Sequence, residues 1–247
     1  MSGIKNCCAI IQARFGSTRL PGKILKPLAG QPMLWHVWKR LTHANKIEKI
    51  IVATTTLPED DIIEKFCTEN KIPFSRGSAT DVLSRYYEAA IKFKADPIVR
   101  ITSDCPLIDP EIVERMIEEY MKLNELRIFD YLSNSIHRTF PRGLDVEIFS
   151  FRALRKAYFQ STQEYEREHV TPFIYEHPKL FKVKNFPNRK DYSFHRWTVD
   201  TEEDFKLIEE IYDLLYKPGE IFLFQDILKL FEQRPELIKV NQHVKQK

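Results

Sequence analysis

The first 125 residues alternate short apolar runs with longer amphipathic segments, and this alternation restricts the possible folds more than any other feature. The runs CCAII (7–11), KIIVATT (49–55) and PIVRIT (97–102) predict strands, and a helical pattern follows each of them. A repeated strand–helix order is typical of a mainly parallel sheet that is covered by helices on both faces. The sequence therefore predicts an α/β fold of three layers.

Beyond residue 125 the pattern is less regular, and we interpret the chain as one domain with an elaborated second half. The strands predicted there cover residues 129–134, 144–149, 181–186 and 195–199. Helices are predicted over residues 32–44, 59–70, 80–94, 110–123, 162–176 and 201–215, with a further apolar helix in the tail. Asp109 before Pro110 predicts a helix start, and Thr201 with Asp204 predicts a capping pair.

Composition excludes several classes of protein. The chain has 43% apolar and 30% charged residues, as ordinary soluble globular proteins do. A net charge of +3, with acids and bases mixed along the chain, predicts no nucleic-acid partner. No apolar run approaches the ~20 residues that span a bilayer, so no membrane association is expected. The residues MSGIKN lead directly into the first strand pattern and leave no room for a signal peptide.

The four cysteines (Cys7, Cys8, Cys67 and Cys105) form no C-x-x-C pair and have no histidine at zinc-ligand spacing. Neither a zinc site nor a disulfide framework is indicated. Most of them lie in apolar runs or on apolar helix faces, which favours reduced, packed thiols. We therefore expect a cytoplasmic protein.

A basic loop, QARFGSTRLPGK (12–23), follows the first strand. It is not a Walker A loop, because five residues separate Gly16 from Gly22 and Ile24 follows Lys23 where a hydroxyl residue is required. It is not a dinucleotide fingerprint either, because Thr18 replaces the second glycine. Its glycines, hydroxyls and cations favour phosphate binding, and a loop of solvated surface cations is the alternative.

Several motifs resemble the cytidylyltransferases that make CMP-activated acidic sugars, and in particular their spore-coat polysaccharide biosynthesis relatives. The opening motif is AIIQARFGSTRLPGKILKPLAGQPMLWHV, and it is typical of the whole superfamily. Further matches follow in order along nearly the whole chain: VATT (52–55), RGSATDVLSRYYEAA (76–90), RITSDCPLIDPEIV (100–113), FPRGLDVEIFS (140–150), REHVTPFIYE (167–176) and RWTVDTEEDF (196–205). The motifs RGLDVE and REHVTP point to the spore-coat subgroup.

The resemblance implies a nucleotide-diphospho-sugar transferase (Rossmann-like) fold and transfer of CMP from CTP to a sugar or phosphorylated acceptor, with release of pyrophosphate. It also implies a nucleotide-binding half at about 1–125, an acceptor and dimerisation elaboration at about 126–247, and a homodimer. Arg14 and Lys23 match positions that contact the CTP phosphates, whereas Arg19 is a weaker candidate that would pair with an acid. The nucleotide-binding candidates are Ala13, Arg14, Gly16, Ser17, Lys23, Thr54, Arg76, Ser78 and Arg85.

Asp104 and Asp200 match the positions of metal-ligating aspartates in the family, and Mg²⁺ is the expected cofactor. Asp104 lies just beyond one predicted strand and Asp200 closes another, and the carboxyl ends of strands line the ligand crevice of open α/β sheets. The alternative for Asp104 is an ordinary turn residue, and for Asp200 it is a helix N-cap. Arg85 has an alternative too, because Asp81 lies four residues before it and an ion pair along a helix is equally consistent.

Acceptor contacts are expected from polar groups in two of the motifs, namely Arg142, Asp145, Glu147, Glu168 and His169. Alternation with apolar neighbours puts Asp145 and Glu147 on one strand face, which is the solvent face by default. Gln12 and Cys105 depart from the octulosonate enzymes, which leaves the acceptor open. A glycosyltransferase is a rival function, although the chain has no Asp-x-Asp element, and a non-catalytic nucleotide-binding protein is another.

Overall fold

The structure, a computed structural model, describes residues 6–125 and 129–245. Its strands are β1 Cys8–Gln12, β2 Pro27–Leu28, β3 Gln31–Pro32, β4 Lys49–Thr55, β5 Phe74–Gly77, β6 Ile98–Thr102, β7 Tyr131–Ser133, β8 Glu147–Phe149 and β9 Val183–Asn185. Its helices are α1 Met33–Leu41, α2 Asp61–Glu69, α3 Val82–Phe93, α4 Pro110–Leu123, α5 Phe151–Gln160, α6 Glu164–His169, α7 Pro172–Tyr175, α8 Glu202–Leu215 and α9 Phe224–Gln233. Short 3-10 turns cover Lys23–Leu25, Pro58–Asp60 and Pro235–Val240.

One mixed sheet organises the described residues, with the strand order β5-β4-β1-β6-β8-β7-β9. The pairs β1–β4, β1–β6, β4–β5 and β7–β9 are parallel, and β8 runs antiparallel to both β6 and β7. The predicted mainly parallel sheet is thereby confirmed. The carboxyl ends of β1, β4, β5 and β6 lie at the same edge, where ligands bind in sheets of this kind.

Both faces of the sheet are buried, which explains why the middle of β1 and of β4 is apolar. In β1, Ala9 and Ile11 pack in the core formed with α1, α4, α8 and α9, whereas Cys8 and Ile10 pack in the core formed with α3 and α5. The three-layer prediction is confirmed. All four cysteines are free and buried. Among the described residues, no helix is long and apolar enough to cross a bilayer.

Local signals predicted some elements well. The helix predicted at 110–123 is α4, and Asp109 caps it by accepting hydrogen bonds from the N–H groups of Glu111 and Ile112. Thr201 and Asp204 form the predicted capping box of α8. The apolar helix predicted in the tail is α9. These predictions succeeded because capping chemistry marks a helix start within a few residues.

Other predictions were wrong, and the backbone explains why. Residues 195–199 form no strand. Within this segment Arg196 makes only an isolated β-bridge with Arg142, and the N–H of Val199 donates to the carbonyl of Asp104. The helix predicted at 162–176 is two short helices, α6 and α7, because Val170 has a φ of 74° and Pro172 begins a new turn. Sequence reasoning also missed β5 and α5. The boundary expected at about residue 125, between the nucleotide-binding half and the elaborated second half, adjoins residues 126–128, which lie outside the described residues.

Gly143 allows the loop before β8 to touch the segment that carries Asp200. Its φ is +102°, and a Cβ added there would lie 2.5 Å from the carbonyl carbon of Trp197 and 2.7 Å from the nitrogen of Thr198. The neighbouring hydrogen bonds run from Arg142 to the His195 carbonyl (3.1 Å) and from Trp197 to the Arg142 carbonyl (2.7 Å). Only glycine fits this close approach of two backbones.

We therefore expect Gly143→Ala to lower the free energy of unfolding strongly. Gly219 is a matched control, because its φ is +85° but a Cβ there would meet nothing within 4 Å. Gly219→Ala should cost roughly 1 kcal/mol from the positive φ alone, and Gly143→Ala about 3 kcal/mol more from the forced backbone shift. Urea unfolding curves measure both. Equal losses for the two variants would show that the backbone contact has no special role.

Candidate active site

A cavity of about 880 Å³ opens at the carboxyl edge of the sheet. Its walls come from the basic loop after β1, the turn after β6, the start of α3, helix α6 and the segment before α8. The lining residues that belong to the predicted site are Ala13, Arg14, Gly16, Ser17, Lys23, Arg85, Asp104, Glu168, His169 and Asp200. Gln12, Thr18, Arg19, Ser103 and Arg167 also line it.

The ammonium group of Lys23 joins the two aspartates at the floor of the cavity. Its Nζ lies 3.2 Å from Oδ2 of Asp104, 2.9 Å from Oδ1 of Asp200 and 2.6 Å from the carbonyl oxygen of Val199. Burial alone would lower the pKa of Lys23, but the two carboxylates reverse this effect and hold it above its ordinary value. Asp104 lies 81 positions and Asp200 177 positions after Lys23 in the chain, yet both contact its Nζ atom.

Two further cations bind Asp200. Its Oδ2 lies 2.9 Å from Nη2 of Arg19 and 2.8 Å from Nη2 of Arg196. Burial would raise the pKa of this carboxyl, but Lys23 and the two guanidinium groups hold it below its usual range. Arg19 thus pairs with an acid, as the sequence analysis expected for this weaker phosphate-binding candidate. The N-cap of α8 is Thr201, so the N-cap alternative for Asp200 is wrong.

The basic loop lines the cavity and contains backbone donors without a partner among the described residues. The N–H groups of Gly16, Ser17, Thr18 and Arg19 make no hydrogen bond within the residues that the structure describes. The loop is nevertheless ordered at its base, where the N–H of Gly22 donates to the carbonyl of Phe15 at 3.0 Å. Consecutive unpaired N–H groups in a concave loop are a general anion-binding arrangement.

Asp60 fixes the loop to the neighbouring strand. It is fully buried, and its Oδ1 accepts a hydrogen bond of 2.6 Å from the N–H of Phe15. Its Oδ2 accepts a hydrogen bond from the hydroxyl of Thr55 at the end of β4. A buried carboxylate is stable only when donors surround it. Asp60 therefore determines where the loop begins to turn.

Arg85 is a buried cation without a hydrogen-bond partner. Only 3% of the residue is exposed, and its Nε and Nη1 atoms bond to no other described residue. Burial lowers its pKa, and the nearby guanidinium of Arg14 lowers it further. Asp81 instead binds Arg167 (2.8 Å to Nε) and caps α3, so the predicted alternative of an ion pair between Asp81 and Arg85 is wrong.

The remaining nucleotide-binding candidates lie near the cavity without lining it. Thr54 is fully buried, and its hydroxyl has no partner among the described residues. The hydroxyl of Ser78 accepts a hydrogen bond from the N–H of Asp81 at 3.0 Å. Arg76 is engaged outside the cavity, by Asp61, Glu64 and two backbone carbonyls.

Three acceptor candidates lie away from the cavity walls. Glu147 is buried rather than on a solvent face, and it pairs with Arg100 while accepting from the hydroxyls of Tyr131 and Thr171. Asp145 pairs with Arg138. Arg142 lines a different, smaller cavity. Only Glu168 and His169, on α6, reach the large cavity from this group.

Sequence reasoning missed three residues that organise the site, namely Asp60, Arg167 and Arg196. Arg196 had a local signal, because it lies four and eight residues before the two acids that it binds, Asp200 and Asp204. The contact of Asp60 with the basic loop spans 45 positions, and that of Arg167 with the cap of α3 spans 86, so no local spacing marks these two contacts. Such pairs follow only from the completed fold.

The role of Asp60 can be tested against its neighbour Asp61, whose side chain is 67% exposed. Asp60→Ala should lower the free energy of unfolding by about 1–3 kcal/mol, because it leaves the N–H of Phe15 without its acceptor. Asp61→Ala removes only a surface ion pair and should change it by less than ~1 kcal/mol. Chemical denaturation of both variants measures the difference. If Asp60→Ala were as stable as Asp61→Ala, the anchoring role would be refuted.

Comparison with known proteins identifies the family. A family model described as cytidylyltransferase matches residues 8–234. The chain is 33% identical over 218 residues to the spore coat polysaccharide biosynthesis protein SpsF of Bacillus subtilis, covering 85% of this chain and 87% of that protein. It is also 33% identical over 120 residues to the 3-deoxy-manno-octulosonate cytidylyltransferase of Lawsonia intracellularis, covering 47% of this chain and 46% of that protein.

A solved structure supports the same assignment over the whole fold. The structure of a cytidylyltransferase from Leptospira borgpetersenii superimposes with a TM-score of 0.88 at 36% identity, covering 94% of this chain and 96% of that one. The matched segment contains both the basic loop and the two aspartates that Lys23 joins. The chain belongs to the cytidylyltransferase family.

Proposed function

We propose that this protein transfers CMP from CTP to a sugar or phosphorylated acceptor in surface polysaccharide or glycoconjugate biosynthesis. An acceptor oxygen attacks the α-phosphorus, the bond from that phosphorus to the β-phosphate oxygen breaks, and pyrophosphate leaves with the electron pair. If the acceptor is a hydroxyl, its proton is released. The family assignment supports the reaction class, and the clustering of the basic loop with Asp104 and Asp200 is the observation that carries the proposal.

The basic loop is suited to the triphosphate. Residues 16–19 line the cavity together with Arg14, and their four N–H groups make no hydrogen bond within the described residues. Phosphate oxygens would satisfy these donors, and the fixed charges would stabilise the negative charge that develops on the departing pyrophosphate. Arg14 and Lys23 would thereby serve as catalytic cations.

The carboxylate pair is suited to a divalent cation, and Mg²⁺ is our proposal. Lys23 Nζ is already surrounded by one oxygen each from Asp104, Asp200 and the Val199 carbonyl, so the site stabilises positive charge. Mg²⁺ prefers oxygen ligands and is commonly held by one or two carboxylates together with substrate phosphates. Once bound, the ion would neutralise charge on the phosphate oxygens.

The same geometry implies an order of events. Three cationic side chains bind Asp200, and one of them, Lys23, also binds Asp104. A triphosphate offers competing anionic oxygens to Arg19 and Lys23, which would release carboxylate oxygens towards the metal. We infer that nucleotide and metal bind together and that Lys23 moves from the carboxylates to the phosphates.

Arg85 and Thr54 are suited to the nucleoside. Both have buried polar atoms that lack a partner within the described residues, and such atoms are costly unless a ligand pairs with them. A base carbonyl or a ribose oxygen is a suitable acceptor for the Arg85 guanidinium. Ala13 lies beside them, in the cavity wall.

The acceptor would bind on the side of α6. Glu168 and His169 line this wall, and Arg167 is held there by Asp81. We propose a single domain (1–247) in which residues 1–125 mainly bind nucleotide and residues 126–247 supply the acceptor wall together with Asp200. The homodimer is proposed from the resemblance, and a cytoplasmic location from the four free cysteines.

A glycosyltransferase is less well supported. Such enzymes commonly use an Asp-x-Asp element, and the nearest equivalent here is Asp145 with Glu147. Arg138 binds Asp145, and Arg100 binds Glu147. The acids at the cavity floor, Asp104 and Asp200, come instead from two segments that are far apart in the chain, and this arrangement suits nucleotidyl transfer.

Thermal unfolding in the presence of single nucleoside triphosphates tests the proposal. At 100 times its Kd, CTP with Mg²⁺ should raise Tm by roughly 5–10 °C, and UTP, ATP and GTP should raise it much less. Asp104→Asn should lose the part of the shift that depends on Mg²⁺ and keep the part seen with CTP alone. Asp213→Asn is the control, because Asp213 is exposed on α8.

Two results would overturn the proposal. A larger shift with GTP or UTP than with CTP would refute the choice of base. An unchanged Mg²⁺ effect in Asp104→Asn would refute the metal assignment, even if CTP remained the preferred nucleotide.

A further inference from the structure

A second cavity, of about 140 Å³, lies behind the segment that carries Asp200. Its walls come from residues 193–197, from α8 and α9, from the C-terminal turn and from Arg142. Arg196 lines the small cavity, and its guanidinium binds Asp200, which lines the large one, and Asp204. No part of the proposed reaction uses this space.

The small cavity has one cation that is not balanced by a described acid. Arg142 lines it, no Asp or Glu is among its lining residues in the described part of the chain, and the charge of Arg196 is balanced by Asp200 and Asp204. The guanidinium of Arg142 makes no hydrogen bond or ion pair with any described residue. The nearby acid, Asp145, is taken by Arg138. Burial lowers the pKa of Arg142, and the neighbouring guanidinium groups of Arg138 and Arg196 lower it further.

The backbone of Arg142 is fixed against the cavity wall. Its N–H donates to the His195 carbonyl, its carbonyl accepts from Trp197, and Gly143 lies against the same backbone. A guanidinium that has no partner among the described residues is available to an anionic ligand.

The rest of the wall offers neutral donors and rings. The indole N–H of Trp197 is buried and has no partner among the described residues. Burial lowers the pKa of His195 to about 4, so its ring is uncharged at neutral pH and carries one N–H donor. Phe231 packs against both of these rings. A volume of about 140 Å³ is close to that of an engineered protein cavity that binds benzene, of ~150 Å³.

We propose that this cavity binds a small oxyanion, such as inorganic phosphate or a short carboxylate, and that Arg142 is its main contact. The charge of Arg142 selects an anion, the planar fork of its guanidinium matches two oxygen atoms, and the volume limits the ligand to about the size of benzene. This site is independent of the proposed reaction, and its ligand contacts neither the basic loop nor Asp104.

The indole resonance of Trp197 reports on the site directly, because Trp197 lines the small cavity and not the large one. Three tryptophans give three indole ¹⁵N–¹H signals, and Trp35→Phe and Trp38→Phe assign that of Trp197 by elimination. Inorganic phosphate and acetate are titrated separately at constant ionic strength. We expect a saturable shift of the Trp197 signal with at least one of them.

Matched variants locate the binding. Arg142→Gln should weaken the anion affinity at least tenfold, while Arg142→Lys, which keeps the charge, should weaken it less. Arg155→Gln is the control, because Arg155 is exposed on α5 and lines neither cavity. Lys23→Met alters the floor of the large cavity and should leave the Trp197 titration unchanged.

Each outcome is decisive. A shift with phosphate alone assigns a tetrahedral oxyanion, and a shift with acetate alone assigns a carboxylate. If the Trp197 signal does not move with either anion, or if Arg142→Gln and Arg142→Lys both titrate like the wild type, the proposed site does not exist. If a folded Lys23→Met variant no longer shows the shift, the anion binds in the large cavity and the proposal is wrong.

Discussion

The ammonium group of Lys23 holds the carboxyl edge of this molecule together. It gathers the loop after β1, the turn after β6 and the segment before α8 around one partly buried charge. Removing one partner from such a cluster leaves charge uncompensated, which is destabilising. The position of the basic loop and the separation of the two aspartates therefore depend on each other, and the shape of the large cavity depends on both.

This cluster is also the part of the structure that a ligand would change most. The three cations that bind Asp200 are shared with Asp104 and Asp204, so the charges of the cluster balance. In the reaction that we propose, triphosphate and a divalent cation would redistribute these partners without large backbone movement, because Asp60 fixes the start of the loop and Arg196 holds Asp200.

Much of the fold could be predicted from the sequence, because the alternation of strands and helices and the caps at Asp109 and Thr201 are local signals. The segment 195–199 was predicted as a strand because its composition resembles one. Its hydrogen bonds instead go to Arg142 and Asp104, which are far away in the chain. β5 was missed because it is short and contains a charged residue and a glycine.

The site divides in the same way. Motif resemblance indicated the basic loop and both aspartates, and the fold brings them together. It could not indicate Asp60, whose partners are set by tertiary contact, or that Glu147 is buried in a network with Arg100. A charged residue in a motif can bind the ligand or stabilise the fold, and the contacts that it makes in the structure distinguish these two roles.

The most direct test of this account is the affinity for Mn²⁺, used as a spectroscopic probe, in Lys23→Met without nucleotide. If Lys23 occupies the position of the divalent cation, its removal frees oxygens of Asp104 and Asp200, and Mn²⁺ should bind at least tenfold more tightly than to the wild type in an electron paramagnetic resonance titration. Lys26→Met is the control, because Lys26 binds Glu202 on the surface. Equal or weaker Mn²⁺ binding in a folded Lys23→Met variant would contradict the central claim.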